Sequence, residues 1–346
     1  MFPGQGTQLV GMGKSLQRSA AARAVFEEVD AYLAEPLSRT LFEGPLSALS
    51  QTRLTQPAIF AHSVASLQAL LEANAAGLLR QPLPAAPSLY LGHSVGEYAA
   101  LAVGGSLGVG QAARLLRLRG EAMQRAGDEA AAAAASGGAT GMTALLLGAP
   151  APSLAALALA ITQACQLAST PTATASLAAL NSPSQAVLSG HVGAMALAVA
   201  ALQQRAPELR LRRAMALPVS APFHSPIMAP AALALQEALS QLSPPMQPLA
   251  APLLCGWSAQ PCTSVAELQQ ALVQGVTSTV QWGPCVQQAL GSSTGQRTHF
   301  LEFGPRGGTL GALVKQCDAA HALPGRADTS SVEVWEDIES RKHALC

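Results

Sequence analysis

The chain has 346 residues, 49% of them hydrophobic and 12% charged, with 20 basic residues set against 20 acidic ones. That apolar fraction supports a large buried core, in two compact units or one domain with an insertion, and excludes a disordered chain. A formal net charge of zero gives no electrostatic reason to expect nucleic acid or an anionic membrane as a partner. Cys165, Cys255, Cys262, Cys285, Cys317 and Cys346 are scattered, with no C-x-x-C pair and no Cys/His cluster at metal-ligand spacing, so they read as free thiols. No uninterrupted run of about eighteen strongly apolar residues predicts a spanning helix.

The chain opens on a glycine-rich turn, Phe2-Pro3-Gly4-Gln5-Gly6, with no targeting segment before it and most of any leading strand missing. Its spacing fits neither a phosphate loop nor a dinucleotide fingerprint. Helical periodicity follows at Ala21–Leu33 and at Gln56–Leu71, the second strongly apolar and opened by a proline. Ser88–Leu91 is a short apolar run ending at a glycine, which suits a buried strand. Helices are expected from Glu97 and from Gly110 to Ala126, and Glu129–Gly141 reads as a flexible low-complexity connection.

Beyond it come strands at Thr143–Leu147 and Ala186–Ser189, helices at Leu154–Leu167 (capped by Ser153) and His191–Gln204, and a strand at Ala214–Val219 returning to the larger body. This alternation predicts a small α/β insert within a larger α/β chain. Helices at Ala231–Leu242 and Ser264–Gln274, a strand at Thr298–Phe303 and a short helix within residues 331–346 complete the expected elements.

Gly92-His93-Ser94-Val95-Gly96 lies where a predicted strand ends and a helix begins. A serine on so sharp a turn needs small residues on either side. The turn exposes its hydroxyl beside a helix N-terminus, where N–H groups can stabilise an oxyanion. G-x-S-x-G admits a nucleophile or a structural turn, and the strand before it and the helix formers after it favour the nucleophile. A serine hydroxyl also needs a base. His224, in Pro218-Val219-Ser220-Ala221-Pro222-Phe223-His224-Ser225-Pro226, follows a predicted strand on a loop stiffened by prolines. His62 on its apolar helix and His299 beside a strand read as packed or surface residues. His93 adjoins the serine with its side chain turned away, as a packing or substrate contact.

Arg119 falls with Ala112, Leu115, Leu116 and Met123 on one apolar stripe, whereas Arg114, Arg117 and Arg125 lie off it. A guanidinium facing a core needs an anion. On spacing alone, an internal Asp or Glu is the favoured partner, with a substrate carboxylate as the other reading.

Eight blocks in order carry a resemblance that covers nearly the whole chain: FPGQGTQLVGMG (2–13), QPAIFAHSVA (56–65), LGHSVGEYAAL (91–101), LRLRGEAMQ (116–124), NSPSQAVLSG (181–190), LPVSAPFHSPIM (217–228), VQW (280–282) and LEFGP (301–305). Together they resemble the malonyl-CoA:acyl-carrier-protein transacylase family, related to the acyltransferase domains of fatty acid and polyketide synthases. The resemblance implies an α/β-hydrolase-like large domain with a parallel sheet, residues 1–128 and 214–346, carrying a ferredoxin-like subdomain at 140–213. It implies Ser94 as nucleophile, His224 as general base, and the backbone N–H groups of Gln5 and Val95 as the oxyanion hole. It turns Arg119 toward the malonyl carboxylate, puts His93 and Phe223 against the substrate, and makes Phe223 a mark of malonyl selectivity.

The same resemblance implies a ping-pong reaction with malonyl-CoA and acyl carrier protein, no metal or redox cofactor, a monomer, and a mitochondrial location, with cytoplasm or plastid as alternatives. Gly275 stands where the family often has glutamine, and Arg306 where glycine is usual.

Two other classes remain open. A serine esterase or thioesterase would use the same turn and histidine with a carboxylate between them, but Glu97, Glu121, Asp128, Glu129 and Glu208 follow no obvious strand. An inactive carrier-protein-binding scaffold is suggested by the departures at Gly275 and Arg306.

Overall fold

The helix over Thr52–Ala75 is buried on most of its surface, and the larger part of the chain is built around it. The computed structural model describes residues 1–133, 138–149, 151–205, 207–292, 297–305, 307–320, 325–333 and 335–341. In chain order, α1 (Ala20–Leu33), α2 (Leu37–Glu43), α3 (Leu46–Leu49) and α4 (Thr52–Ala75) precede β1 (Tyr90–Leu91), α5 (Gly96–Val103) and α6 (Val109–Ala133). A second group runs β2 (Thr140–Leu147), α7 (Leu154–Ala168), β3 (Ala175–Ser182), β4 (Gln185–His191), α8 (Val192–Arg205) and β5 (Leu211–Ala216). Next come α9 (Ala229–Ser240), β6 (Leu253–Leu254), β7 (Pro261–Cys262), α10 (Val265–Thr277) and α11 (Trp282–Ser292). Last are β8 (Thr298–Phe303), α12 (Thr309–Ala319), β9 (Ala327–Val332) and α13 (Trp335–Glu339). The result is a mixed α/β protein.

Local chemistry sets several boundaries. Ser19 caps α1 by accepting the Ala22 N–H, and Ser153 caps α7 through Ala156. Ser264 and Glu267 form a reciprocal capping box on α10. In the larger unit, β1 and β6 pair in parallel, and β7 runs antiparallel to β6. Residues 1 and 2 fill the slot beside β1. The Phe2 N–H donates to Leu91 O and its carbonyl accepts from His93, while Met1 exchanges hydrogen bonds with Leu301 and Phe303 of β8. β9 extends this edge, parallel to β8.

The smaller unit has strand order β3-β4-β2-β5, every neighbour antiparallel. Leu157, Ile161, Met195, Ala198 and Leu202 of α7 and α8 form a second core with Leu145, Leu177, Leu180 and Leu188 of the sheet. Each large aliphatic side chain so buried contributes about 1.5–3 kcal/mol. The two units are stitched together at β3: Leu180 N–H donates to Val280 O, and Val280 N–H to Ala178 O.

Several expected elements are corrected. α6 runs seven residues beyond Ala126, to Ala133, so the alanine-rich stretch begins as helix rather than as a flexible connection; residues 134–137 lie outside those described. The strand expected at Ala214–Val219 is Leu211–Ala216, and it pairs with β2 in the smaller sheet rather than returning to the larger body. Arg306, Cys346 and the last five residues are outside the described set. Among the described residues, Cys165, Cys255, Cys262, Cys285 and Cys317 are free and buried. No group of three or more His, Cys, Asp or Glu side chains among them could hold a metal ion. No helix among them is long and apolar enough to cross a membrane.

Candidate active site

Ser94 sits between β1 and α5 with φ +55°, a left-handed conformation costing a non-glycine residue about 1–3 kcal/mol. The glycines around it are required by close approach. A Cβ on Gly92 would collide with the backbone of Gly96 and Glu97, and one on Gly96 with the carbonyl of Phe2. The strained turn is thereby wedged between its own helix and the N-terminal residues, and the half-buried hydroxyl stands at the start of α5.

The turn carrying Gln5 docks on this elbow. Gly4 lies against the His93 carbonyl, and the Thr7 hydroxyl closes the turn onto Gly4 O at 3.0 Å. The N–H groups of Gln5 and Val95 donate to no acceptor among the described residues. Two uncommitted donors, one on the elbow and one on the turn docked against it, are the kind of groups an oxyanion requires.

Arg119 projects from α6, is 3% exposed, and forms no ion pair among the described residues. The expectation of an internal Asp or Glu partner is thus not met. Its Nη1 donates to Gln56 Oε1 at 2.7 Å and its Nη2 to Ser94 Oγ at 3.1 Å. Burial holds its pKa below the ordinary guanidinium value. A cation kept in a dry site without a counter-ion is primed for an anionic ligand.

His224 is also left-handed, with φ +58°, on a loop tightened by the Ser225 hydroxyl bonding Pro222 O at 2.7 Å. It is 7% exposed, and its Nδ1 donates to the Gly275 carbonyl of α10 at 2.8 Å. That bond fixes the tautomer in which Nε2 is the free base. Burial, then the charges of Arg119 and His93, push its pKa down to about 3. The imidazole therefore stays neutral at physiological pH. Phe223, next to it, is buried.

His93 Nε2 meets Asn181 Oδ1 of β3 at 3.0 Å and its ring tilts against Trp282. Burial lowers its pKa. His62 is a core residue whose pKa falls to about 4 through burial. His299 bonds Ser330 on the neighbouring strand. Sequence reasoning missed Gln56, the amide that holds Arg119. Its signal was available, since a glutamine inside so apolar a helix needs a polar partner. It also missed Glu97 and Asn181.

Residues 1–149 match the acyl transferase domain family. Over 335 residues the chain is 32% identical to the malonyl CoA-acyl carrier protein transacylase of Bacillus subtilis (strain 168), covering 96% of this chain and 94% of that protein. It is 28% identical to the mitochondrial malonyl-CoA-acyl carrier protein transacylase of Homo sapiens, over 98% of this chain and 80% of the relative. Among solved structures, the acyl-carrier-protein-S-malonyltransferase of Bartonella henselae superposes with TM-score 0.79 at 32% identity, covering 98% of this chain and 96% of that one. A malonyl-transacylase in complex with its type II PKS acyl-carrier protein superposes with TM-score 0.80 at 28% identity, covering 99% and 97%.

Proposed function

The chain belongs to the malonyl CoA-acyl carrier protein transacylase family, and we propose that Ser94, His224 and Arg119 are the groups through which it works. It is an acyltransferase that moves malonyl from malonyl-CoA to acyl carrier protein for fatty acid synthesis. The observation that carries the site assignment is Arg119: a buried guanidinium with no acidic partner among the described residues, bonded directly to the Ser94 hydroxyl. A hydrolase of simple esters has no use for such a cation. A thioester with a free carboxylate at its far end does.

The proposed steps use these groups in turn. His224 Nε2 accepts the Ser94 proton as Oγ attacks the thioester carbonyl. The Gln5 and Val95 N–H groups stabilise the tetrahedral oxyanion. Collapse expels the CoA sulfur, which takes the proton from His224 and leaves malonyl as an ester on Ser94. The phosphopantetheine thiol of the carrier protein then gives its proton to Nε2 and attacks that ester, restoring the serine. The Gly275 carbonyl does the orienting that a carboxylate performs in a Ser-His-Asp triad. Glycine supplies that carbonyl as well as glutamine would. Arg119 grips the malonyl carboxylate throughout, and His93 and Phe223 pack beside the acyl group.

The β-α-β-β-α-β order and strand sequence β3-β4-β2-β5 support a ferredoxin-like smaller unit, with β5 carrying its sheet beyond residue 213 to Ala216. The serine turn between β1 and α5, beside the parallel β1–β6 pair, supports an α/β-hydrolase-like larger one over 1–128 and 214–346. The human and Drosophila melanogaster relatives named mitochondrial support the same location for this chain.

The decisive assay supplies malonyl-CoA and holo-carrier protein together. Malonyl is expected on the carrier thiol, with little free malonate. Hydrolysis outrunning transfer would favour the thioesterase reading, and no turnover by the folded chain would favour the scaffold.

His224 also predicts a pH profile. A base with an ordinary histidine pKa loses half its kcat/KM near pH 6.5 (approximately). With its pKa pushed down to about 3, the free enzyme is expected to show no such acid limb between roughly pH 5 and 7. A half-loss near the ordinary value in the malonyl-CoA profile would contradict the arrangement.

A further inference from the structure

Glu97 is the second residue of α5 and its N–H donates to Ser94 O at 3.1 Å, yet the steps above leave its side chain unused. The side chain is 4% exposed and forms no ion pair among the described residues. Its Oε1 accepts the Gly256 N–H, beyond β6, at 2.7 Å. Its Oε2 lies 3.4 Å from the position a Cβ on Gly275 would occupy. Gly275 is the residue whose carbonyl orients His224. One carboxyl on the serine's helix therefore bonds the backbone just beyond β6 and packs against Gly275, whose carbonyl orients the base.

We propose that Glu97 is a positioning residue, locking the Gly275 carbonyl, and through it His224, to the helix that presents Ser94. The inference rests on the assignment of Ser94 and His224 given above. A helix-start carboxylate is usually ionised, because the helix dipole favours the anion. Here burial dominates and raises the pKa to about 8, with the nearby Cys255 adding to the rise and Arg119 and the Gly256 bond opposing it. The other groups that sense its charge are Cys262 on β7, Cys285 on α11 and Tyr98 on α5. At neutral pH the carboxyl is an uncharged acid. It holds its neighbours without claiming the charge of Arg119, which stays available for the malonyl carboxylate. Ionisation above that pH adds a negative charge near Arg119, so malonyl is selected less well against acetyl.

The test measures kcat/KM for malonyl- and acetyl-CoA from about pH 7 to 9.5 in wild type, Glu97→Gln and Glu97→Ala, with circular dichroism and thermal unfolding as controls. In wild type the malonyl:acetyl ratio is expected to fall as pH passes about 8, and in Glu97→Gln to stay flat with neutral-pH kcat within about threefold. Folded Glu97→Ala is expected to lose kcat by about 10–100-fold at nearly constant KM, because the base is misplaced rather than the substrate site emptied. A flat wild-type ratio, or the same alkaline decline in Glu97→Gln, overturns the proposal. So does a folded Glu97→Ala with wild-type kcat. If Glu97→Ala does not fold, the glutamine profile decides. Failure of the Ser94 assignment reads out separately, as a wild-type chain that takes up no malonyl at all.

Discussion

Ser94→Ala is expected to lower malonyl transfer by at least about 10⁴-fold while leaving the protein folded. The size follows from the chemistry: without Oγ there is no covalent intermediate, and only binding and the oxyanion donors remain. The fold should survive because, among the described residues, the hydroxyl's one hydrogen bond is the one from Arg119. The backbone strain at φ +55° belongs to the turn and stays with alanine in place. Steady-state transfer, with thermal unfolding measured on the same samples, checks both halves. Residual activity within tenfold (about 1.4 kcal/mol) of wild type would remove Ser94 from the mechanism.

Arg119→Ala carries the second large effect. Truncating one partner of a buried, hydrogen-bonded charge pair costs about 3–5 kcal/mol, so kcat/KM for malonyl-CoA is expected to fall by about 150- to 5,000-fold. Acetyl-CoA offers no carboxylate, so its kcat/KM should change little or rise. Thermal stability should hold or increase, because the substitution removes a buried cation that has no counter-ion among the described residues of the free protein. Arg119→Lys is not expected to rescue, since an ammonium cannot reach Gln56, Ser94 and a carboxylate in one plane. Equal losses for malonyl and acetyl donors would make Arg119 a structural residue.

The parts of the site that could be read in the sequence are those written in local chemistry. Ser94 was legible because its turn demands Gly92 and Gly96, and these lie within two residues of it. Arg119 was legible as a core-facing arginine through helical periodicity, but spacing could not name its partner. The family resemblance, not the spacing, turned it toward a ligand, and among the described residues it forms no ion pair that would compete. Glu97 was opaque for a different reason. Its partner Gly256 lies 159 residues away, and no periodicity links a helix start to the end of a strand that far along the chain.

The fold shows the same division. The helices and strands of the smaller unit were visible as alternating patterns, except β3. Its sequence ASLAALNS has no β-branched or aromatic residue, and it is a strand because β4 and Val280 supply its hydrogen bonds. The alanine run after Glu129 was misjudged in the opposite direction. Low complexity suggested flexibility, but alanine has the highest intrinsic helix propensity, and α6 continues into it. Residues 1 and 2 looked like the remnant of a strand, and their backbone nonetheless bridges β1 and β8.

The most direct measurement is the intact mass of the protein seconds after mixing with equimolar malonyl- and acetyl-CoA. One malonyl group should appear on the wild-type chain in large excess over acetyl, none on Ser94→Ala, and a mixture dominated by acetyl on Arg119→Ala. A malonyl adduct that persists in Ser94→Ala, or a folded wild-type chain that acquires none, would contradict the account.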